Sequence, residues 1–523
     1  MHNPRPPTSA TSEKNRELRV SVSDLAECLV FRAGEEVNLE AEKEERELVY
    51  QGTLAQSYSS SQEDSDRLLA VLLDHSLLLL RPRGDTAKFD VCYRPIPIEF
   101  LTVSMSRNPQ QFSKVTETLK RMACVVPTPP DEADQGFPVT FACLGRKAFH
   151  VSLWATSLDD QQRWVRSVQK QQEAMEDVQH VFDSQYFSLG GKIVSCATLF
   201  DQGRQIVYGT TNGVYLSEVA EPHNQLIKIL ALNDVTQVDV LEEPQILIVL
   251  SEGQLLTFPL DVLDLNDPNA ALERAKRVAS YVSFCKAGTC LGRMMLCAVK
   301  STILSTTIKI FEPVSNTGTT GPSRPMFRRL LQGNQYDNDR LMNLTKEFYI
   351  PKQTNAAIFL KTKLCLGCAG DFEVVDIETL DIQTLLDPSD QSLDFVRSRK
   401  VLQAIALYRI GDNFLMCYDE FAFYVNRTGC RSNKHFLVFW EGTPTAFALQ
   451  YPYILAFDPT FVEIWHVETG RIVQVIQGSN IRCLWPGATP FQFDPAHPYG
   501  AQSGVLVVSD EQVVKLQASA RTP

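Results

Sequence analysis

The stretch YILAFDPTFVEIWHVE at 453–468 reads as an apolar strand, a tight polar turn and a second apolar strand. Alternating apolar residues interrupted by turn-forming Asp, Pro and Thr are the mark of a β-hairpin. The theme recurs. Upstream stand QIVYGTTNGVYLSE (205–218), ILIVLSEGQLLTFPL (246–260), MLCAVKSTILSTTIKIFE (295–312), LCLGCAGDFEVVDIE (364–378) and NFLMCYDEFAFYVN (413–426). GVLVVSDEQVVKLQ (504–517) follows. That makes seven copies, about 40–50 residues apart except for one longer gap, the length of a four-stranded propeller blade. The long gap, between the third and fourth copies, holds a polar insert at 312–345. No long helical pattern breaks the series, which disfavours α/β folds. One small twisted sheet cannot bury both faces, so the copies are expected to pack radially as a seven-bladed β-propeller over 184–518. The last hairpin lies close to the end of the sequence. A strand near Tyr186–Leu189 is therefore expected to complete the seventh blade.

The remaining length demands a further domain, because 523 residues exceed one hydrophobic core. Strands read at 48–56, 67–74, 76–82, 88–96, 98–104, 137–144 and 148–155. A helix, SLDDQQRWVRSVQKQQEAM, follows at 157–175. Ser157 with Asp160 forms a capping-box-like start, and Trp164, Val165 and Val168 give the helix an inward stripe. Seven short strands closed by one amphipathic helix that carries a tryptophan resemble a pleckstrin-homology domain, expected over 36–175. One departure from that pattern is a long loop, about 105–136, with a helix-like piece QFSKVTETLKRM. Residues 1–35 read as a disordered start followed by a helix. In that helix Leu18, Val22, Leu25 and Leu29 share a face.

Bulk properties narrow the function. The formal net charge is −12, with a pI near 5.3. An acidic chain is a poor nucleic-acid partner. No apolar run is long enough to span a bilayer, and the N-terminus lacks a secretory signal. The 13 cysteines are scattered through strand-like text, as expected of reduced, buried thiols in the cytosol. Asn343 and Asn426 sit in glycosylation sequons that such a location leaves unused.

FLMCYDEFAFYVNRTG (414–429) resembles the most characteristic segment of citron-homology domains. The text at 437–476 and 346–380 fits the same family. LAECLVFRAGEEVNLEAEKEERELVYQGTL (25–54) is similar to the junction between Dbl-homology and pleckstrin-homology domains of fungal Rho guanine-nucleotide exchange factors. The resemblance implies the C-terminal half of such a factor, without its catalytic Dbl-homology helices and so without exchange activity of its own. A Rho-type small GTPase, and the cytoplasmic tails of cell-surface sensors, are the implied partners. Cell-wall integrity and polarity signalling is the implied setting, at the inner face of the plasma membrane or cell cortex. A vesicle-tethering scaffold is the alternative, since citron-homology propellers occur there too.

A few individual residues suggest sharper roles. Arg324, Phe327, Arg328 and Arg329 in the insert form a basic-aromatic stretch of the kind enriched at protein hot spots, and are the candidate partner-binding residues. The first loop of the pleckstrin-homology region, QSYSSSQEDSD (56–66), is serine-rich and acidic. With only Arg67, Arg81, Arg83 and Lys88 nearby, weak or no phosphoinositide binding is expected. Cys365 and Cys368 match CxxC but sit in an apolar strand without a second ligand pair, so no metal is expected. His466 reads as structural. Asp419, Glu420, Asp458, Asp510 and Glu511 read as turn residues. Eight histidines, none clustered in the blades, disfavour an enzyme. No cofactor and a monomeric state are expected.

Overall fold

A computed structural model describes residues 25, 27–31, 47–57, 67–83, 88–105, 136–178, 180–187, 189–220, 226–265, 267–314, 340–399, 401–487, 504–510 and 512–519. The chain divides into two compact units, the first ending at Val178.

The first unit is one hydrogen-bonded sheet and one long helix. Its strands are β1 (Leu29–Val30), β2 (Leu48–Ala55), β3 (Arg67–Leu73), β4 (Ser76–Pro82), β5 (Phe89–Val91), β6 (Ile96–Pro97), β7 (Leu101–Ser104), β8 (Phe137–Cys143) and β9 (Phe149–Ala155). They lie in the order β1-β5-β4-β3-β2-β9-β8-β7, with β6 on β4. The strand read at 88–96 is split, and the one read at 98–104 opens with a 3-10 turn at Ile98–Phe100. Leu29, read as helical, instead pairs in parallel with Phe89 through β1. Just before it, Leu25 is buried in the cluster of Val71, Leu73, Leu78 and Leu80. The helix-like piece at 111–122 lies outside the described residues.

Helix α1 (Leu158–Val178) starts as its cap predicts: the Asp160 N–H donates to Ser157 Oγ at 3.1 Å. The return bond differs, because the Asp160 carboxylate accepts from the Thr156 N–H at 3.3 Å and from the Tyr50 hydroxyl at 3.2 Å. Trp164 is fully buried, edge-on to Tyr50 and Phe141 at ring-centroid distances of 4.7 and 5.7 Å. Gly52 lies against the indole, and a Cβ there would make ordinary van der Waals contact with it at 3.4 Å.

The second unit is a ring of seven four-stranded antiparallel sheets. Blade 1 spans Val194–Leu230, blade 2 Val235–Ser280, blade 3 Phe284–Ile350 and blade 4 Thr354–Thr384. Blade 5 spans Ala404–Phe439 and blade 6 Ala446–Gln477. Every hairpin read from the sequence forms the second and third strands of its blade. Those central strands are almost wholly buried, as near-continuous apolar text requires. Blade 7 takes three strands from the end of the chain (Arg482–Trp485, Val505–Ser509, Gln512–Ala518) and its outermost from Phe182–Phe187. The closing strand thus begins four residues earlier than expected, running from Phe182 opposite Ala518 to Phe187 opposite Val513. Leu189 is buried beyond its end.

Candidate interaction surfaces

Antiparallel order within each blade fixes which loops share a face. The turns between second and third strands lie on the same side as the connections from one blade's fourth strand to the next blade's first. Acidic turn residues are spent there as fasteners. Asp458 accepts from the Thr460 N–H at 2.9 Å, the Thr460 hydroxyl at 2.7 Å and the Thr443 N–H at 2.9 Å. Asp419 accepts from the Gln403 N–H at 2.9 Å, and Asp510 from the Ser479 hydroxyl. These carboxylates tie each turn to a neighbouring connection, which stiffens the face.

Two buried acids, not singled out in the sequence, do the same from below. Glu463 and Glu373 occupy equivalent places near the start of the third strands of blades 6 and 4, Phe461–His466 and Phe372–Asp376: Ala456 faces Glu463 and Leu366 faces Glu373. Glu463 has no solvent exposure and accepts from the Gly442 N–H at 2.7 Å, the Glu441 N–H at 3.2 Å and the Trp465 indole N–H at 3.0 Å. Burial nevertheless pushes its carboxyl up to about 7, so desolvation outweighs three donors. Glu373 is instead paired with Lys352, which precedes the first strand of blade 4. A glutamate on a strand carries no sequence mark of burial, which is why neither was legible.

The first strands line the axis. Asp239 in blade 2 is raised by burial and lowered by Lys286 in blade 3. Burial raises the Cys483 thiol in blade 7 to about 12, and Lys286 offsets only part of that rise. Among the described residues no group of three or more His, Cys, Asp or Glu side chains could hold a metal ion. Cys365 and Cys368 lie in one strand of blade 4 and face different inter-blade cores, the first beside Phe372 and Met416, the second beside Val299 and Ile308. Burial holds the Cys365 thiol far above its ordinary value, so it is inert. His466 stacks edge-on against Tyr453 at 5.6 Å and takes a bond from the Glu468 N–H at 3.3 Å.

Arg324, Phe327, Arg328 and Arg329 lie outside the described residues, as does most of the 56–66 loop. Of the basic residues near that loop, Arg81 bonds Gln56 at 2.6 Å and Arg83 lies 4.0 Å from Asp90. The turn of blade 3 departs from the polar theme. Ile303 and Leu304 stand 84% and 81% exposed at its tip. The text STILSTT contained that signal.

Comparison with known proteins agrees with this architecture. The CNH domain model matches residues 202–487, and the Pleckstrin homology domain model matches 48–172. Rho1 guanine nucleotide exchange factor 1 of Schizosaccharomyces pombe is 37% identical over 488 residues, covering 90% of this chain and 36% of that protein. RHO1 GDP-GTP exchange protein 2 of Saccharomyces cerevisiae is 28% identical over 491 residues, covering 89% of this chain and 35% of its own length. The chain thus spans about a third of these curated relatives. A solved AfRom2 CNH domain superposes with a TM-score of 0.53 at 34% identity, covering 66% of this chain and 99% of that one. With its propeller matched over more than half of its length, the chain belongs to the CNH domain family.

Proposed function

We propose that this chain is the regulatory, protein-binding region of a Rho guanine-nucleotide exchange factor. The observation that carries the reading is the similarity to Rho1 exchange factors, which runs through both units over 488 residues. A propeller suits the role, because loops from seven blades gather on two stiff faces and offer recognition surface without needing chemistry. In this reading the chain is not itself the exchange catalyst. It binds a Rho-type GTPase, or cortical partners such as sensor tails, as a monomer at the inner face of the plasma membrane, in cell-wall integrity and polarity signalling.

The test is a titration of the chain against a Rho-type GTPase loaded with GDP, with a GTP analogue, or with no nucleotide. Saturable binding in at least one state is expected. Replacing Arg324, Arg328 and Arg329 by Glu is expected to weaken it. Absence of affinity in all three states removes direct contact, and preferential capture of a vacuolar-type GTPase would favour a tethering scaffold instead.

A further inference from the structure

Glu463 of blade 6 has hydrogen-bond donors around it and no counter-ion. Its equivalent in blade 4, Glu373, is paired with Lys352. The partners of Glu463 are the Glu441 N–H and the Trp465 indole N–H, both on Oε2, and the Gly442 N–H, which has Oε1 to itself. The titratable groups facing it bring no positive charge. Glu441, in the connection from blade 5, adds repulsion. Asp458, in the turn that opens its own strand, is engaged with Thr443 and Thr460. Glu420, in the blade 5 turn, is paired with Arg399. Across the seam, blade 5 presents Tyr408, Cys417 and Tyr424, whose ionisation burial suppresses.

The connection that Glu463 holds, Trp440 to Thr445, is pinned at both ends without it. The Trp440 N–H donates to Glu420 O at 3.1 Å, and the Trp440 indole to Tyr418 O at 2.9 Å. The Thr443 N–H donates to Asp458 at 2.9 Å, and the Thr445 N–H to Phe457 O at 2.9 Å. Glu441 and Gly442, between these anchors, rely on Glu463. A carboxylate accepts all three N–H groups. A carboxylic acid does not, because its added proton meets an N–H already aimed at the same oxygen. The side chain has no solvent exposure, so bulk water does not absorb the mismatch. The proton belongs on Oε1, which has one donor to lose, whereas Oε2 has two.

We propose that Glu463 is a proton-operated latch on the connection between blades 5 and 6: ionised, it holds Gly442 down, and protonated, it lets Gly442 go. Two opposed forces place the change near neutrality. Three donors favour the carboxylate, desolvation favours the acid, and the balance sets the carboxyl at about 7. Both forms are then populated in a neutral solution. Thr443 and Thr445 of the same connection are exposed. The latch therefore alters one sector of the face that the blade turns and connections share, while the anchors at Trp440 and Thr443 confine the change to the two residues between them.

The test is a pH titration of the full chain by nuclear magnetic resonance, following the Gly442 amide and the Trp465 indole N–H. Both signals are expected to move with one shared midpoint near pH 7. Hydrogen exchange at Gly442, corrected for the intrinsic effect of pH, should lose roughly tenfold in protection from the alkaline to the acidic side, the effect of one hydrogen bond. The Thr443 N–H, held by Asp458, should keep its protection. In Glu463→Gln the midpoint should vanish, with the Gly442 signal fixed near its acidic position. A Gly442 amide that stays still in the natural chain between about pH 5.5 and 8.5 overturns the proposal, whether or not the variant folds. A midpoint that persists in Glu463→Gln, as titration of His466 would give, also overturns it. So does an equal loss of protection at Thr443, for then the whole connection loosens and Glu463 is no latch.

Discussion

Glu463 is held without solvent contact among three N–H donors, yet burial lifts its carboxyl from an ordinary value of 4.5 to about 7. The folded state therefore binds a proton more tightly than the unfolded chain does. Its contribution is full below about pH 4.5 and is lost as pH rises through about 7. At about 1.4 kcal/mol for each tenfold in proton affinity, the whole swing is on the order of 3 kcal/mol. The side-chain amide of a Glu463→Gln variant does not titrate. In that variant the stability deficit relative to the natural chain should shrink, or reverse, between pH 5 and pH 8. Denaturant unfolding of both chains at the two pH values measures this, and a deficit independent of pH contradicts it. Asp371, raised to about 6 by burial, works in the same direction and is common to both chains, so it cancels in the comparison.

At the scale of the strand, neighbouring blades meet through close backbone approach rather than side-chain packing alone. Four of the seven blades begin with a bulge in the first strand, at Val194/Cys196, Val235/Gln237, Thr354/Ala356 and Ala404/Ala406. A bulge steepens local twist and re-aims the strand. In blade 4 the approach leaves no room for a side chain on Gly367, where a Cβ would stand 2.3 Å from the Ala404 carbonyl oxygen of blade 5. Backbone cannot yield as a flexible side chain can. Gly367→Ala should therefore destabilise the propeller by about 1–3 kcal/mol, the usual cost of overpacking. A thermal melt reads it, and a melting temperature equal to that of the natural chain removes the argument. The equivalent glycine of blade 1, Gly209, faces side chains instead, those of Cys196 in its own blade and Val235 in blade 2.

At the scale of the whole ring, closure joins distant parts of the chain. Six residues of the Phe182–Phe187 strand pair with the last strand. The junction to blade 6 is fastened by Gln474, whose carbonyl accepts from the Val181 and Phe182 N–H groups at 3.0 and 2.9 Å. Removing that amide leaves two buried donors unpaired. Gln474→Ala should cost about 1–3 kcal/mol for each donor that water does not reach. Deleting 183–192 takes away all of the closing strand but Phe182 and should unfold the propeller. Circular dichroism melts of both variants test this, and a deletion that melts like the natural chain rules closure out as a source of stability.

The seven hairpins were legible in the sequence because a hairpin is local. Its alternation, turn residues and burial on both faces are written within some fifteen consecutive positions, as at 453–468, and counting them settles the architecture. The helix with its tryptophan was legible for the same reason. Closure register, the fate of Glu463 and Glu373, and the redirection of Leu29 into a parallel strand were not. Each depends on partners far along the chain, such as Val181 and Gln474, 293 positions apart. The apolar turn at Ile303–Leu304 stood in the text, but only the folded ring decides that it stands exposed among the described residues. Local periodicity determined which elements form. Packing between elements distant in sequence decided which polar groups are buried and which apolar groups are left facing water.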